Sequence, residues 1–370
     1  RARLCKYQSC SRTNHGYYIM KPLFMWAGGK TKLLGSFSEH LPKHFDTYIE
    51  PFFGGGAVFT WAYAKSPSAK FVINDINPYI MEIYRAIKGD LQDFCDILDD
   101  LESQYIALLP PTYKEVTFTK KKIHRYFPPT YKEDIIFEEE KKTEWLGLEG
   151  GAPDKDLEKK HKLKGNIYDW DEIYQIRPSR RTFFFKTRAL YQENLHNWGT
   201  TKRAAYLYFL MKTAFNGVWQ AKAGTDVFNT PCGLMRQKDS VYDKANVLLW
   251  HNALQNAIIL DGDFKQTLEY ACDNSFVYLD PPYRGGFADY NTKKDDAFQE
   301  TVVEFFENCK EKGSYCLLSN RDLGDAFFAS RKGANKIVYF DVTYTVGRKK
   351  KNEDGEYEAT KAKEILMISD

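Results

Sequence analysis

The chain has 370 residues, 43% of them hydrophobic and 16% aromatic, which is ~2.5 times the ~150-residue domain prior and excludes a peptide scaffold or a disordered chain. Its 53 basic against 50 acidic residues leave a net charge of only +3, so any nucleic-acid footprint must be local. Seven scattered cysteines fit reduced intracellular thiols better than a disulfide framework, and without an apolar run of ~18 residues or an apolar leader neither a membrane span nor secretion is expected.

In chain order, Cys5, Cys10 and His15 lack the fourth ligand and the CxxC spacing of a zinc site, so no metal is expected. Trp26-Ala27-Gly28-Gly29-Lys30-Thr31 ends like a phosphate-binding P-loop, but Phe24 stands where that motif needs its first glycine. Two readings remain. The glycine pair lets backbone approach a ligand, with Lys30 offering charge to an anionic group such as a carboxylate, or it is a surface turn before a helix.

Residues 47–50 read as a short strand that runs through Glu50 into Pro51-Phe52-Phe53-Gly54-Gly55-Gly56 and then a helix. Glycines at such a turn remove Cβ atoms, so a cofactor can lie against the backbone at the carboxyl edge of a sheet; a tight structural turn is the alternative. Residues 71–73 form the next strand, ended by Asn74-Asp75, and an acid there is placed to accept both hydroxyls of a ribose. GxGxxG is absent, which argues against the usual dinucleotide fingerprint.

Helices are predicted over 78–87 and 91–109. Residues 110–180 are charge-dense, with Lys120-Lys121-Lys122 and Glu138-Glu139-Glu140, and the phrase Pro-Pro-Thr-Tyr-Lys-Glu starts at both Pro110 and Pro128. Two copies do not make a repeat architecture, and the stretch reads as a solvated insertion, its lysine contact with phosphates being the alternative. Residues 182–213 form a helical block that presents 216–233 as a hairpin or extended loop.

Further strands fall at 257–260, 276–279, 315–318, 336–342 and 364–368, with a helix over 296–312. Near-continuous apolar strands imply a sheet covered on both faces, hence an α/β doubly wound fold. The gap before residue 257 must hold a second unit. The strand at 276–279 stops abruptly in Asp280-Pro281-Pro282-Tyr283, where two prolines cannot continue a ladder and fix a stiff turn. The Asp280 carboxylate and the Pro281 carbonyl are acceptors, and the Tyr283 ring is a flat plate. Together they suit an exocyclic amino group on a planar base. An ordinary turn or a proline-rich ligand are the bland readings, although a ligand belongs in an exposed stretch rather than after a buried strand.

Taken in order, Trp26-Ala27-Gly28-Gly29-Lys30, Glu50-Pro51-Phe52-Phe53-Gly54-Gly55-Gly56, Asn74-Asp75, Phe215-Asn216-Gly217, Gly262-Asp263-Phe264 and Asp280-Pro281-Pro282-Tyr283 resemble the motifs of Dam-type (D12 class) DNA adenine-N6 methyltransferases. The resemblance covers residues 21–109 and 182–370. It implies a mostly parallel seven-stranded methyltransferase sheet with an inserted helical and hairpin target-recognition domain. In that plan residues 1–20 are an extension, 21–90 and 257–370 the S-adenosylmethionine-binding catalytic domain, and 91–256 the recognition domain that includes 110–180. It further implies S-adenosylmethionine, and no metal, bound by Trp26, Lys30, Glu50, Phe52, Gly54, Gly56, Asp75, Asp263, Phe264 and Asp280. Asp280, Pro281 and Tyr283 would act on a flipped adenine, and Lys212, Asn216, Gln220 and Lys222 would contact double-stranded DNA. The enzyme would be a cytoplasmic monomer or homodimer.

Two departures from the family pattern stand out. Val218-Trp219-Gln220 follow the Phe-Asn-Gly turn where a basic residue is common, and Gln220 matches adenine where arginine would choose guanine, so a GATC target does not follow. Residues 1–20 and 110–180 have no counterpart in the motifs. Other readings of the same turn are methylation of RNA adenine or of a protein glutamine, and a non-catalytic DNA-binding subunit of the same fold.

Overall fold

The computed structural model describes residues 19–26, 28–30, 34–108, 170–222, 224, 225, 227–237, 239–285, 296–331, 333–344, 350, 351, 357, 358 and 360–369. The expected extension at 1–20, apart from its last two residues, and most of the insertion at 110–180 lie outside them, as do Cys5, Cys10 and His15.

The described elements in order are α1 (Leu34–Phe37), β1 (Thr47–Glu50), α2 (Ala57–Lys65), β2 (Lys70–Asp75), α3 (Pro78–Gly89), α4 (Leu91–Ala107), α5 (Trp170–Glu193), α6 (Thr200–Thr213), α7 (Lys244–Leu254), β3 (Ala257–Asp261), β4 (Ser275–Leu279), α8 (Asp296–Glu311), β5 (Tyr315–Asp322), β6 (Lys336–Tyr344), β7 (Lys350–Lys351), β8 (Tyr357–Glu358) and β9 (Thr360–Ile368). The chain divides into two compact units, one of the described residues up to Leu91 and from Ala245, the other Gln92–Lys244.

The first unit is built on a seven-stranded sheet in the order β3-β2-β1-β4-β5-β9-β6. β3, β2, β1, β4 and β5 run parallel, and β9 is inserted antiparallel between β5 and β6. Register explains why the strands read as continuous apolar runs. Tyr48 pairs with Phe71 and Phe276, and the next position, Ile49, pairs with Val72 and Val277, so successive residues load opposite faces. On the aromatic face Tyr48 packs against Phe71 and Phe276, and Tyr48 and Phe71 meet Phe59 of α2, which stacks on Trp250 of α7 at 5.0 Å. On the other, Ile49, Val72 and Val277 join a cluster with Val302, Phe305 and Phe306 of α8. Helices thus cover both sides, as the doubly wound reading requires. The return to this unit comes at Ala245, ahead of residue 257, because α7 carries Trp250 into the aromatic layer with Phe53 and Tyr84.

α3 starts where its sequence dictates: Asn77 caps it by accepting from the Tyr79 and Ile80 amides, and Pro78 takes the first position, where no amide is needed. This cap ends the loop after β2 and fixes where Asp75 can sit.

The second unit corrects two expectations. The helical block at 182–213 is two helices, α5 and α6, because the chain turns at Asn194, whose carbonyl takes the Asn197 and Trp198 amides, and restarts at Gly199 in extended conformation. α5 also begins at Trp170, inside the stretch expected to be solvated. Arg177 and Arg180 are 3% and 0% exposed; Arg177 donates to the Gly233 carbonyl and Arg180 to the carbonyls of Tyr105 and Met235, with Arg180 stacked on the Tyr105 ring. Among the described residues, no helix is long and apolar enough to cross a membrane, and no group of three or more His, Cys, Asp or Glu side chains is placed to hold a metal.

Candidate active site at the carboxyl edge of the sheet

β1 is followed on one side by β2 and β3, and β4 on the other by β5, so strand order reverses between β1 and β4. At such a switch point the loops leaving the two carboxyl ends diverge and open a crevice. The predicted motifs leave the sheet at this edge: Pro51–Gly56 after β1, Asn74-Asp75 at the end of β2, Gly262–Phe264 after β3 and Asp280–Tyr283 after β4.

The β1 turn is held by backbone bonds to its neighbours. The Phe53 amide donates to the Asn74 carbonyl at 2.8 Å, the Gly54 amide to Asp75 Oδ2 at 2.8 Å, and the Tyr84 hydroxyl to the Gly54 carbonyl at 2.9 Å. Asn74, fully buried, bonds the Pro51 and Gly262 carbonyls through its amide nitrogen and Gln266 through its oxygen, tying three loops together. The glycines have a reason that the sequence did not reveal. Gly54 and Gly56 take positive φ, a Cβ on Gly54 would collide with the Trp26 indole, and one on Gly56 would come within 2.6 Å of Trp250. The space a side chain would need is filled by tryptophan.

Asp75 is 8% exposed, and its second oxygen accepts the Asn77 amide at 3.0 Å. Burial raises its pKa above the usual carboxylate range, against the pull of the amides of Asn77 and Gly54. Glu50, 3% exposed, accepts the Tyr48 hydroxyl at 2.7 Å; burial pushes it well above the usual range, and the charges of Asp280 and Asp75 act in the same direction. Two buried carboxylates thus face this edge at an electrostatic cost that a cation would relieve. Phe264 is buried against Phe52 with ring centroids 4.9 Å apart, and Asp263 is exposed and caps its own turn by accepting the Lys265 amide.

Asp280 lies at the end of the fully buried β4 and keeps 19% exposure. Its Oδ1 accepts the Ser319 hydroxyl at 2.9 Å, and both its oxygens contact Lys30 Nζ, at 2.8 and 2.9 Å. Lys30 is 2% exposed, donates also to the Gly28 carbonyl at 2.6 Å and lies over the Tyr283 ring, 4.7 Å from its centroid. The cation expected to serve an anionic ligand is therefore engaged with the acid expected to act on the base.

The turn itself is fastened on both sides of Tyr283. Gln299 of α8 donates to the Pro282 carbonyl at 2.8 Å, and the Arg284 amide donates to Asn320, which in turn holds Gln299. The Arg284 guanidinium pairs with both oxygens of Asp325 and with Asp296. The Tyr283 hydroxyl donates to Glu364 of β9 at 3.0 Å. Burial, with Asp280 and Glu364 adding to it, lifts the Tyr283 phenol well above its usual range, so it stays a donor at neutral pH.

Sequence reasoning missed Ser319, Asn320, Gln299 and Glu364. The available signal was a polar residue where an apolar one fits: Gln299 shares the buried stripe of α8 with Val302, Val303 and Phe306, and Ser319-Asn320 extend the buried strand that begins at Tyr315.

In the second unit, the described residues of 214–233 form a hairpin. Ala214 bridges Cys232 and Ala221 bridges Phe228 antiparallel, and the Gln220 amide donates to Thr230 Oγ1 at 2.9 Å. Asn216, in left-handed conformation, Gln220 and Lys222 are exposed along it. Lys212 is placed differently: it sits half-buried in the last turn of α6 beside the Tyr208 ring, and burial lowers its pKa, with Asp243 opposing.

A family model described as D12 class N6 adenine-specific DNA methyltransferase matches residues 26–143 and 167–346. It runs through 110–143, a stretch the motifs left outside the resemblance, and skips 144–166. The Type II methyltransferase M.MjaIII of Methanocaldococcus jannaschii is 29% identical over 353 residues, 92% of this chain and 97% of that protein. The Type II methyltransferase M.CviBI of Paramecium bursaria Chlorella virus NC1A is 25% identical, covering 81% and 82%, and the DNA adenine methylase of Escherichia coli K12 is 22% identical, covering 80% and 79%.

Proposed function

The chain belongs to the D12 class N6 adenine-specific DNA methyltransferases and is a DNA adenine methyltransferase; we propose that it methylates N6 of an adenine turned out of double-stranded DNA into the site beside Asp280. Asp280 carries this reading. It ends a buried strand at the switch point, keeps one face open, and has its oxygens aimed by Ser319 and Lys30. Its carboxylate and the Pro281 carbonyl accept the two N–H bonds of the amino group while the Tyr283 ring stacks on the base, which fixes the nitrogen and aims its lone pair. The Asp280 charge also makes the positive charge that develops on N6 less costly.

S-adenosylmethionine supplies the methyl group when bound. The residues present fit it: Glu50 and Asp75 are buried acids whose charged forms a cationic ligand would stabilise, and Trp26, Phe52 and Phe264 offer aromatic surface at the same edge. Trp26, Lys30, Glu50, Phe52, Gly54, Gly56, Asp75, Asp263 and Phe264 would hold it. Residues 92–244 are assigned to target recognition, with Asn216, Gln220 and Lys222 presented by the hairpin and Lys212, half-buried, the weakest candidate for a phosphate contact.

Asp280→Ala tests the assignment. Methyl transfer should fall by about 100-fold or more, while DNA affinity, measured by fluorescence anisotropy, stays within about twofold, since the carboxylate touches no phosphate. Turnover retained within about tenfold would remove Asp280 from the chemistry.

A further inference from the structure

We infer that Glu364 is a positioning residue for methyl transfer, holding the Tyr283 ring in the plane on which the target base stacks. Its backbone is fixed from both sides, because β9 lies between β5 and β6 and residue 364 pairs with Arg321 and with Phe340. Its side chain is 3% exposed. The four residues that follow it on the strand, Ile365, Leu366, Met367 and Ile368, are all buried and apolar. A carboxylate in that setting carries a desolvation penalty that an apolar side chain would avoid, so its presence calls for a partner that needs it. Oε2 accepts the Tyr283 hydroxyl at 3.0 Å.

Tyr283 lies in no strand, and the bonds on either side of it, Gln299 to the Pro282 carbonyl and the Arg284 amide to Asn320, restrain only its backbone. Two side-chain torsions remain; Lys30 covers one face of the ring, and a bond from the ring tip to a strand paired on both edges fixes its plane. This also accounts for the hydroxyl. Phenylalanine would offer nearly the same stacking area, but its plane would be free to turn away from Asp280, and transfer depends on alignment as well as proximity.

The inference rests on the reading of Tyr283 as the stacking plate, so its test separates the two. A duplex carrying 2-aminopurine at the methylated position, located beforehand by mapping methyl-adenine in DNA treated with the enzyme, reports extrusion of the base by fluorescence. Single-turnover methyl transfer on the natural duplex, S-adenosylmethionine affinity and the melting midpoint are measured alongside, all on the full chain.

Glu364→Leu should lower the single-turnover rate by about 10- to 100-fold and weaken the fluorescence rise, with cofactor affinity within about twofold of the parent. Glu364→Gln keeps an acceptor oxygen and should restore most of both signals. Tyr283→Phe should match the losses of Glu364→Leu, and the double variant should lose no more than either single one. Parent-like rate and fluorescence in Glu364→Leu, or additive losses in the double variant, would overturn the role. Should Glu364→Leu fail to fold, Tyr283→Phe carries the test alone, and parent-like signals from it would overturn the role equally. If Tyr283→Ala leaves the fluorescence rise intact, the stacking reading itself fails; if Tyr283→Ala loses it and Glu364→Leu does not, only the positioning role falls.

Discussion

Replacing Lys30 by glutamine separates two roles that the sequence and the structure give to this residue. The family resemblance assigns it to the cofactor, whereas the structure places its ammonium against both oxygens of Asp280, at 2.8 and 2.9 Å, and against the Gly28 carbonyl. With its donors so engaged, its first effect should fall on Asp280. Two unit charges at this separation attract by about 6 kcal/mol at an effective dielectric constant of ~20, and desolvation of a lysine only 2% exposed cancels much of that. Removing one partner of a buried pair costs about 3–5 kcal/mol, and since Asp280 retains 19% exposure and its Ser319 bond, the low end applies. Part of that loss is recovered by water entering where the ammonium stood. The remainder, about 1–2 kcal/mol, loosens the hold on the Asp280 carboxylate, and at about 1.4 kcal/mol per tenfold the transfer rate should fall by about 5- to 30-fold. The assay is single-turnover methyl transfer at saturating S-adenosylmethionine, with cofactor affinity measured separately by calorimetry. An unchanged single-turnover rate at saturating cofactor together with a more than about tenfold loss of cofactor affinity would refute the charge-pair role and return Lys30 to the cofactor.

Glu50→Gln should make stability less dependent on pH. Burial raises Glu50 above the usual carboxylate range, so the folded chain favours its neutral form; that contribution is complete below the ordinary glutamate pKa and is lost as pH rises through the folded value. Between pH 5 and pH 8 the parent's melting midpoint should therefore fall relative to that of the variant, by about 2–4 °C for each kcal/mol of linkage, and parallel curves would show that the group is ionised at no cost. Gln220→Arg should redistribute the methylated sites, because an exposed amide matches adenine N6 and N7 and arginine matches guanine O6 and N7, a difference of ~1–3 kcal/mol at one position. Methyl-adenine maps of the two proteins at matched salt check this, and identical site lists differing only in a uniform rate would place Gln220 away from the bases.

The strands and the motif turns were legible because their residue types answer to local backbone demands. Buried parallel strands must be apolar on both faces, and Pro281-Pro282 must stop a ladder; each demand is met within a few residues of where it arises. The supports were not legible for the complementary reason. Gln299, Ser319 and Glu364 reach the Asp280–Tyr283 turn across 17, 39 and 81 residues of chain, and no short-range pattern dictates a glutamine in a helix stripe or a glutamate in an apolar strand. The same limit misled the reading of residues 170–180, where arginines that look solvated in a charge-dense stretch are buried because carbonyls from Tyr105 to Met235 accept their donors. It also hid a second demand for the glycines of the β1 turn: the atoms nearest to a Cβ on Gly54 and on Gly56 belong to Trp26 and Trp250, contributed from before and long after the turn. In the proposed site the groups that would touch the reactants are therefore set by local backbone geometry, and those that would fix their angles are set by distant elements. Substitutions at Glu364, Gln299 or Ser319 should accordingly disturb alignment, while the Asp280-Pro281-Pro282-Tyr283 motif would still read as intact.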